Sequence, residues 1–296
     1  MIMASQNRIL ITGATGLLGT NLVSYLNKYE YNIATLARKG NVDYIFDLSN
    51  RFYNNISFEN FKPNIIINLV ALTSVDICQE NPNSAYLANT KTVENLVDWI
   101  QKYSAECHLI HISTDQVYDG VGPHHEDHVS LTNFYAFSKY AGESAALRVP
   151  STILRTNFIG HSNVAHRESL TDWLYTSLIN KNHIQVLKDI SFSPLSIKTL
   201  TEIIQKIIEK KPIGVFNLGS HSGMSKADFC IAFAESLKLD IDNISSIDSD
   251  NAEFIKAYRP KDMRLNCSKI EKQMSIKLPC LFDEIIKVSN EYNEIT

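Results

Sequence analysis

Arg8-Ile9-Leu10-Ile11-Thr12-Gly13-Ala14-Thr15-Gly16-Leu17-Leu18-Gly19 is the stretch from which the rest of the chain is read. Arg8 to Thr12 is a short, nearly all-apolar run, suited to a central parallel strand. Beyond Gly16, Leu18, Leu22, Val23 and Leu26 fall on one face of a helix. Strand, glycine turn and helix together give each glycine a purpose. Gly13 permits the tight turn, Gly16 lets a ligand's diphosphate reach the backbone, and Gly19 lets the helix pack close to the strand. The helix N-terminus adds amide donors and a favourable dipole. The whole turn, with Thr15, Leu17 and Leu18 inside it, therefore reads as a dinucleotide site. A plain strand-to-helix turn is the alternative.

The pattern continues downstream. Residues 32–37 form a second strand, ending at Arg38-Lys39-Gly40. An acidic residue here would bind the ribose 2′-hydroxyl of NAD, whereas a basic one accommodates the 2′-phosphate of NADP. Arg38 thus predicts NADPH, with NADH left open. A short third strand over 44–48 places Asp47 at an adenine amino group and Leu48 beside the ring. Residues 64–70 are almost continuously apolar and open into Ala71-Leu72-Thr73, small enough to lie against a cofactor. A long amphipathic helix over 85–103 carries Asn89 near its start. Residues 108–113 form a fifth strand with Thr114 at its carboxyl edge. Ligands of open α/β sheets bind at such edges, so the glycine turn, Ala71 and Thr114 converge on one crevice.

Tyr135-Ala136-Phe137-Ser138-Lys139 supplies the chemistry. Residues four apart on a helix share a face. A free phenol holds its proton to about pH 10, and a nearby ammonium favours the phenolate, so Lys139 is expected to lower the pKa of Tyr135. Thr114 could hydrogen-bond the oxygen that Tyr135 protonates. An ordinary surface pair is the alternative for so short a pattern.

Bulk properties bound the rest. The 296 residues are 44% hydrophobic and 20% charged, with net charge −4. That suits a globular protein with a large core and argues against a basic nucleic-acid footprint. No apolar run reaches membrane-span length, and residues 1–7 lead into a strand without a signal-like segment. Cys78, Cys107, Cys230, Cys267 and Cys280 lack metal spacing and fit free thiols in a reducing cytoplasm; no metal site is assigned. Cys78 and Cys107 read as small packed hydrophobes. Further on, 152–155 is a sixth strand, 169–179 and 197–210 are helices, and 214–219 is one more core strand. Residues 225–237 form a helix with a serine N-cap, and 281–288 a last helix. The layout is an α/β doubly wound Rossmann sheet with a smaller, discontinuous C-terminal part. The dinucleotide domain takes 1–160 and 194–224; the substrate part takes 161–193 and 225–296.

These residues resemble the extended short-chain dehydrogenases/reductases that act on nucleotide sugars, essentially end to end. Thr12-Gly13-x-x-Gly16-x-x-Gly19 matches the family's cofactor turn, Ser113-Thr114-Asp115-x-Val117-Tyr118 its active-site strand, and Tyr135-x-x-x-Lys139 its catalytic pair. Within the family the likeness is to the dTDP-4-dehydrorhamnose reductases. It is carried by Asn68-x-x-Ala71-x-Thr73-x-Val75-Asp76, the Asn89 helix, Leu154-Arg155-Thr156 and Arg259-Pro260-x-x-x-Arg264-Leu265. The resemblance implies reduction of a nucleotide-linked 4-keto-6-deoxy sugar in cell-surface polysaccharide synthesis. Tyr135 would protonate the 4-oxygen as hydride arrives, Lys139 would bind the nicotinamide ribose, and Thr114 would polarise the carbonyl. Val75, Gln116, Tyr118, Asn157 and Arg259 would face the substrate, Arg259 through diphosphate oxygens unless it serves a structural ion pair.

Two departures matter. Gln116 stands where the family's 4,6-dehydratases carry a glutamate, which removes their proton-abstracting base. Asn157-Phe158 replaces a tryptophan common in the reductases, and Met263 a small or polar residue, so the sugar's identity stays open. The subgroup also resembles the regulatory β subunit of methionine adenosyltransferase, which would make the chain a non-catalytic NADP-binding partner. An NAD-retaining epimerase is the third reading, opposed by Arg38. A homodimer is compatible with the family pattern.

Overall fold

A computed structural model describes residues 7–50, 58–164 and 167–294. The N-terminal residues 1–6 and the last two residues of the acidic ending, 295–296, lie outside it. Seven parallel strands form the central sheet: β1 (Arg8–Thr12), β2 (Asn32–Ala37), β3 (Tyr44–Ile45), β4 (Ile65–Asn68), β5 (His108–Thr114), β6 (Ser151–Thr156) and β7 (Gly214–Leu218). Their order is β7-β6-β5-β4-β1-β2-β3. The chain begins at β1 and builds outward in both directions, so a crevice opens between the carboxyl ends of β1 and β4.

Alternation along β1 assigns the two faces. Ile9 and Ile11 point to a core shared with the Leu17–Leu26 and Ile197–Lys210 helices. Leu10 points to the opposite core, with the Thr92–Tyr103 and Phe134–Ala146 helices. The Ile197–Lys210 helix buries Ile197, Leu200, Ile203, Ile204, Ile207 and Ile208, an apolar stripe at helical spacing. Ser196 caps its start, accepting from the Thr199 amide at 3.1 Å.

A further cluster gathers Leu174, Phe192, Phe229, Phe233, Ile285 and Val288, outside the sheet. Short strand pairs frame it: Ile184–Leu187 with Ile244–Ile247, and Ser191–Phe192 with Met224–Ser225. Leu265, Cys267, Ile270 and Met274 return instead to the sheet core, as does Leu278.

Three differences from the sequence reading have physical causes. The third strand stops at Ile45, because it is an edge strand paired only with β2. The helix expected over 85–103 is continuous in direction but not in type. Pro82–Tyr86 is α-helical, Leu87–Lys91 is a π-helical stretch, and Thr92–Tyr103 is α-helical again. The π stretch holds Asn89, whose side chain turns inward to bond another segment. The last helix runs from Leu281 to Asn293, past the expected end, because Tyr292 is a core residue. Its hydroxyl donates to Asp172 Oδ1 at 2.7 Å.

Candidate active site

The cofactor end forms first. Gly13 has φ of 71°, a conformation costly for any side chain, and a Cβ there would meet the backbone of Leu69 and Val70 at 3.0 Å. A Cβ on Gly19 would stand 2.8 Å from the Ala14 backbone, so this glycine is what lets helix and strand touch. Around the turn lies a cleft of 440 Å³. Gly13, Thr15, Gly16, Arg38, Asp47, Leu48 and Ala71 line it, as does Lys39. Asp47 also accepts from the amide and hydroxyl of Ser49. Leu18 packs its side chain into the core, so only its backbone amide can serve a ligand. Leu17, Gly19, Leu72 and Thr73 are not in the cleft wall.

The chemical end lies at the close of β5. Asn133 caps the Phe134–Ala146 helix, accepting from the Ala136 amide at 2.8 Å, and this sets Tyr135 and Lys139 one turn apart. Tyr135 is buried among Leu72, Val75, Cys78, Ala85 and Ala257. Its phenol lies beside the Thr114 side chain. Burial raises the phenol's pKa; the neighbouring Thr114 hydroxyl lowers it, and the nearby Asp115 charge raises it further. The expected depression by Lys139 is therefore not found. Lys139 is directed at the sheet instead, donating to the Ile112 carbonyl at 2.6 Å. Its ammonium is itself lowered to about 8 by burial, against an opposing pull from Glu143.

Hydrogen bonds hold this arrangement. Asn89 accepts from the Leu72 amide (2.8 Å) and donates to the Leu72 carbonyl (3.0 Å) and the Ser138 hydroxyl (2.9 Å). One side chain thus ties the loop after β4 to the helix of Tyr135. Gly142 makes room, since a Cβ there would strike the Asn89 carbonyl oxygen. Glu143, one turn after Lys139, pairs with Arg155 at 2.7 Å.

The substrate-facing expectations divide. Val75 shares the apolar cluster around Tyr135. Gln116 is half-buried, its backbone N–H donating to Thr114 Oγ1 at 3.1 Å. Asn157 Nδ2 donates to Asp115 Oδ2 at 2.8 Å. Asp115, buried there, is pushed up to about 6. Arg259 donates to Asp76 Oδ2 and to the Ala257 carbonyl, both at 2.7 Å, so the structural ion pair is present. Tyr118 is a correction: its ring is fully buried, 5.1 Å from His124 and stacked on it. Its hydroxyl donates to Asn217 Oδ1 at 2.6 Å and accepts from Arg155. It serves the core because the turn after β5 aims it inward. The sequence reading missed Arg167, which lines the cofactor cleft, and Lys226, whose charge acts on Asp115. Neither lies in a recognisable motif. Among the described residues no group of three or more His, Cys, Asp or Glu side chains could hold a metal, and no helix is long and apolar enough to cross a membrane.

The chain as a whole is similar to known proteins. The chain matches the family described as RmlD substrate binding domain over residues 7–293. A dTDP-4-dehydrorhamnose reductase of Sinorhizobium fredii is 29% identical, covering 92% of this chain and 93% of the relative. Methionine adenosyltransferase 2 subunit beta of Rattus norvegicus is 25% identical, covering 90% and 82%. A dTDP-4-dehydrorhamnose reductase of Bacillus anthracis, solved in complex with NADP, superposes with a TM-score of 0.87 at 23% identity, over 97% of this chain and 99% of that one. The family match spans the sheet, the glycine turn and the Tyr135 helix alike, and the chain belongs to the RmlD substrate-binding-domain family.

Proposed function

We propose that this chain reduces the 4-keto group of a nucleotide-linked 6-deoxy sugar with NADPH, and with NADH as a second donor, in the synthesis of polysaccharide sugars. The observation that carries the reading is the placement of the Tyr135 phenol beside Thr114 at the carboxyl edge of β5, on the same sheet edge as the glycine cleft. The cleft suits a dinucleotide: Gly13 and Gly16 line it without side chains, and Arg38 stands at the end of β2. When bound, the nicotinamide supplies the hydride.

The chain's own groups do the rest. Burial keeps the Tyr135 phenol protonated at neutral pH, which makes it a proton donor to the sugar's 4-oxygen rather than a base. Thr114 directs that oxygen. Lys139, still mostly charged at pH 7, has ammonium protons beyond the one given to Ile112, and these would hold the nicotinamide ribose. Asn157 and Arg259 border the sugar nucleotide. Gln116, an amide, cannot abstract a proton where the dehydratases carry a glutamate, which favours reduction over elimination. The dinucleotide part comprises 1–160 and 194–224 with the sheet-packed 265–278 segment, and the substrate part 161–193 and the remainder of 225–296. The five free thiols agree with a reducing cytoplasm, and a homodimer is the assembly we expect.

The relatedness to methionine adenosyltransferase 2 subunit beta supports a second reading, a regulatory subunit that binds NADP without turnover. The test is NADPH oxidation with dTDP-, GDP-, UDP- and CDP-linked 4-keto-6-deoxyhexoses. Turnover with one of them supports the reductase. Tight NADPH binding without any turnover would transfer the assignment to the subunit.

A further inference from the structure

Every wall of the dinucleotide cleft comes from residues up to Ala71, with one exception. Arg167, far downstream of the glycine turn, joins Gly16 and Arg38 around the same space. Its Nη1 lies 3.6 Å from where a Cβ on Gly16 would stand. The segment is held there: Asn163 Nδ2 donates to Asn21 Oδ1 at 3.3 Å, and the Arg167 amide donates to the Val164 carbonyl at 3.1 Å. Asn21 belongs to the Leu17–Leu26 helix itself.

That placement is electrostatically odd without an anion. Gly16 is the N-cap of the Leu17–Leu26 helix, no side chain caps it, and its first turn has no acidic residue. A helix N-terminus carries roughly half a positive charge. A guanidinium held against it is repelled, unless negative charge lies between them. No carboxylate among the described residues pairs with Arg167.

We infer that Arg167 binds the diphosphate of the dinucleotide from the open side of the glycine turn, opposite the helix amides. Its planar donors match two phosphate oxygens at once. Arg38, at the end of β2, sits instead where the adenosine ribose 2′-position falls. The two arginines thus take different phosphates of one cofactor. Because Arg167 follows β6 and leads into the Leu170–Ile179 helix, its contact would also tie the substrate part to the loaded cofactor. This inference rests on the dinucleotide reading of the cleft, and not on the sugar reduction.

The test is direct binding, read by quenching of Trp99 and Trp173 fluorescence or by nicotinamide emission. NADPH and NADH are titrated into wild type, Arg167→Gln and Arg38→Gln. The diphosphate is common to both cofactors, so Arg167→Gln should raise both dissociation constants by the same factor, about tenfold for a lost charge-assisted pair. Arg38→Gln should raise that of NADPH alone. Arg167 is exposed, so its loss leaves the fold intact, and Arg167→Lys should recover part of the affinity. An Arg167→Gln effect confined to NADPH would move the residue to the 2′-phosphate and overturn the inference, as would unchanged binding of both. Wild type that binds neither cofactor overturns it together with the cofactor reading. Wild type that binds both yet reduces no ketosugar leaves Arg167 in place and removes only the reductase.

Discussion

Replacing Arg155 by methionine tests how the Tyr135 helix is fastened to the sheet. Arg155 sits on β6, and its Nε donates to both oxygens of Glu143 at 3.1 Å while Nη2 reaches Oε2 at 2.7 Å. The two side chains are 3% and 2% exposed. At that burial desolvation offsets much of the pair's attraction, but breaking it is costly, because the Glu143 carboxylate would be left without its partner and without water. Tyr118 would lose one partner and keep Asn217, so its share is small. Arg155→Met should therefore cost about 3–5 kcal/mol, and Glu143→Met a similar amount. The double variant removes both charges and leaves chiefly the Ser113 hydroxyl, now bonded to Glu143, without its acceptor. It should cost about 1–2 kcal/mol, less than either single change. Urea unfolding followed by circular dichroism reads all three. A single substitution costing under about 1 kcal/mol, or a double equal to the sum of the singles, would refute the buried-pair argument.

Two other outcomes follow from the site. Lys139 is lowered to about 8 by burial, so its charge, and with it kcat/KM, should fall as pH rises through that value; Glu143 holds the lysine up, so in Glu143→Gln the falling limb should move to lower pH, and a limb that stays in place would contradict the link. Asn89→Ala leaves the Leu72 amide and carbonyl and the Ser138 hydroxyl short of a partner, and should cost about 2–3 kcal/mol in thermal unfolding while lowering kcat; a loss under about 0.5 kcal/mol would mean the loop after β4 is held by something else.

The parts of the fold that were readable in the sequence are those where local pattern and packing agree. The apolar runs at Arg8 and Ile65 form central strands, and the glycines at 13 and 19 each lie against backbone that a side chain would strike. The Tyr135–Lys139 spacing survives because Asn133 starts the helix in the right register. Other features depend on partners distant in sequence. Tyr118 was read as facing the sugar, yet Asn217 and Arg155 pull it into the core. Lys139 was read as acting on the phenol, yet the Ile112 carbonyl lies closer to its reach. The π stretch at Leu87–Lys91 has ordinary helix formers, and only the inward bonds of Asn89 distinguish it. Arg167 has no local signal at all, since its meaning comes from a turn far upstream.

In the proposed reaction hydride reaches the sugar's C4 and Tyr135 donates the proton. An isotopic experiment reads both: wild type and Tyr135→Phe are incubated with NADPH carrying deuterium at both C4 positions and a dTDP-4-keto-6-deoxyhexose, and the product is analysed by mass spectrometry and NMR. One deuterium at C4 in the wild-type product and a loss of rate of about 10²-fold or more without the phenol are expected. Deuterium at another carbon, no deuterium at all, or an unimpaired Tyr135→Phe enzyme would contradict that reaction.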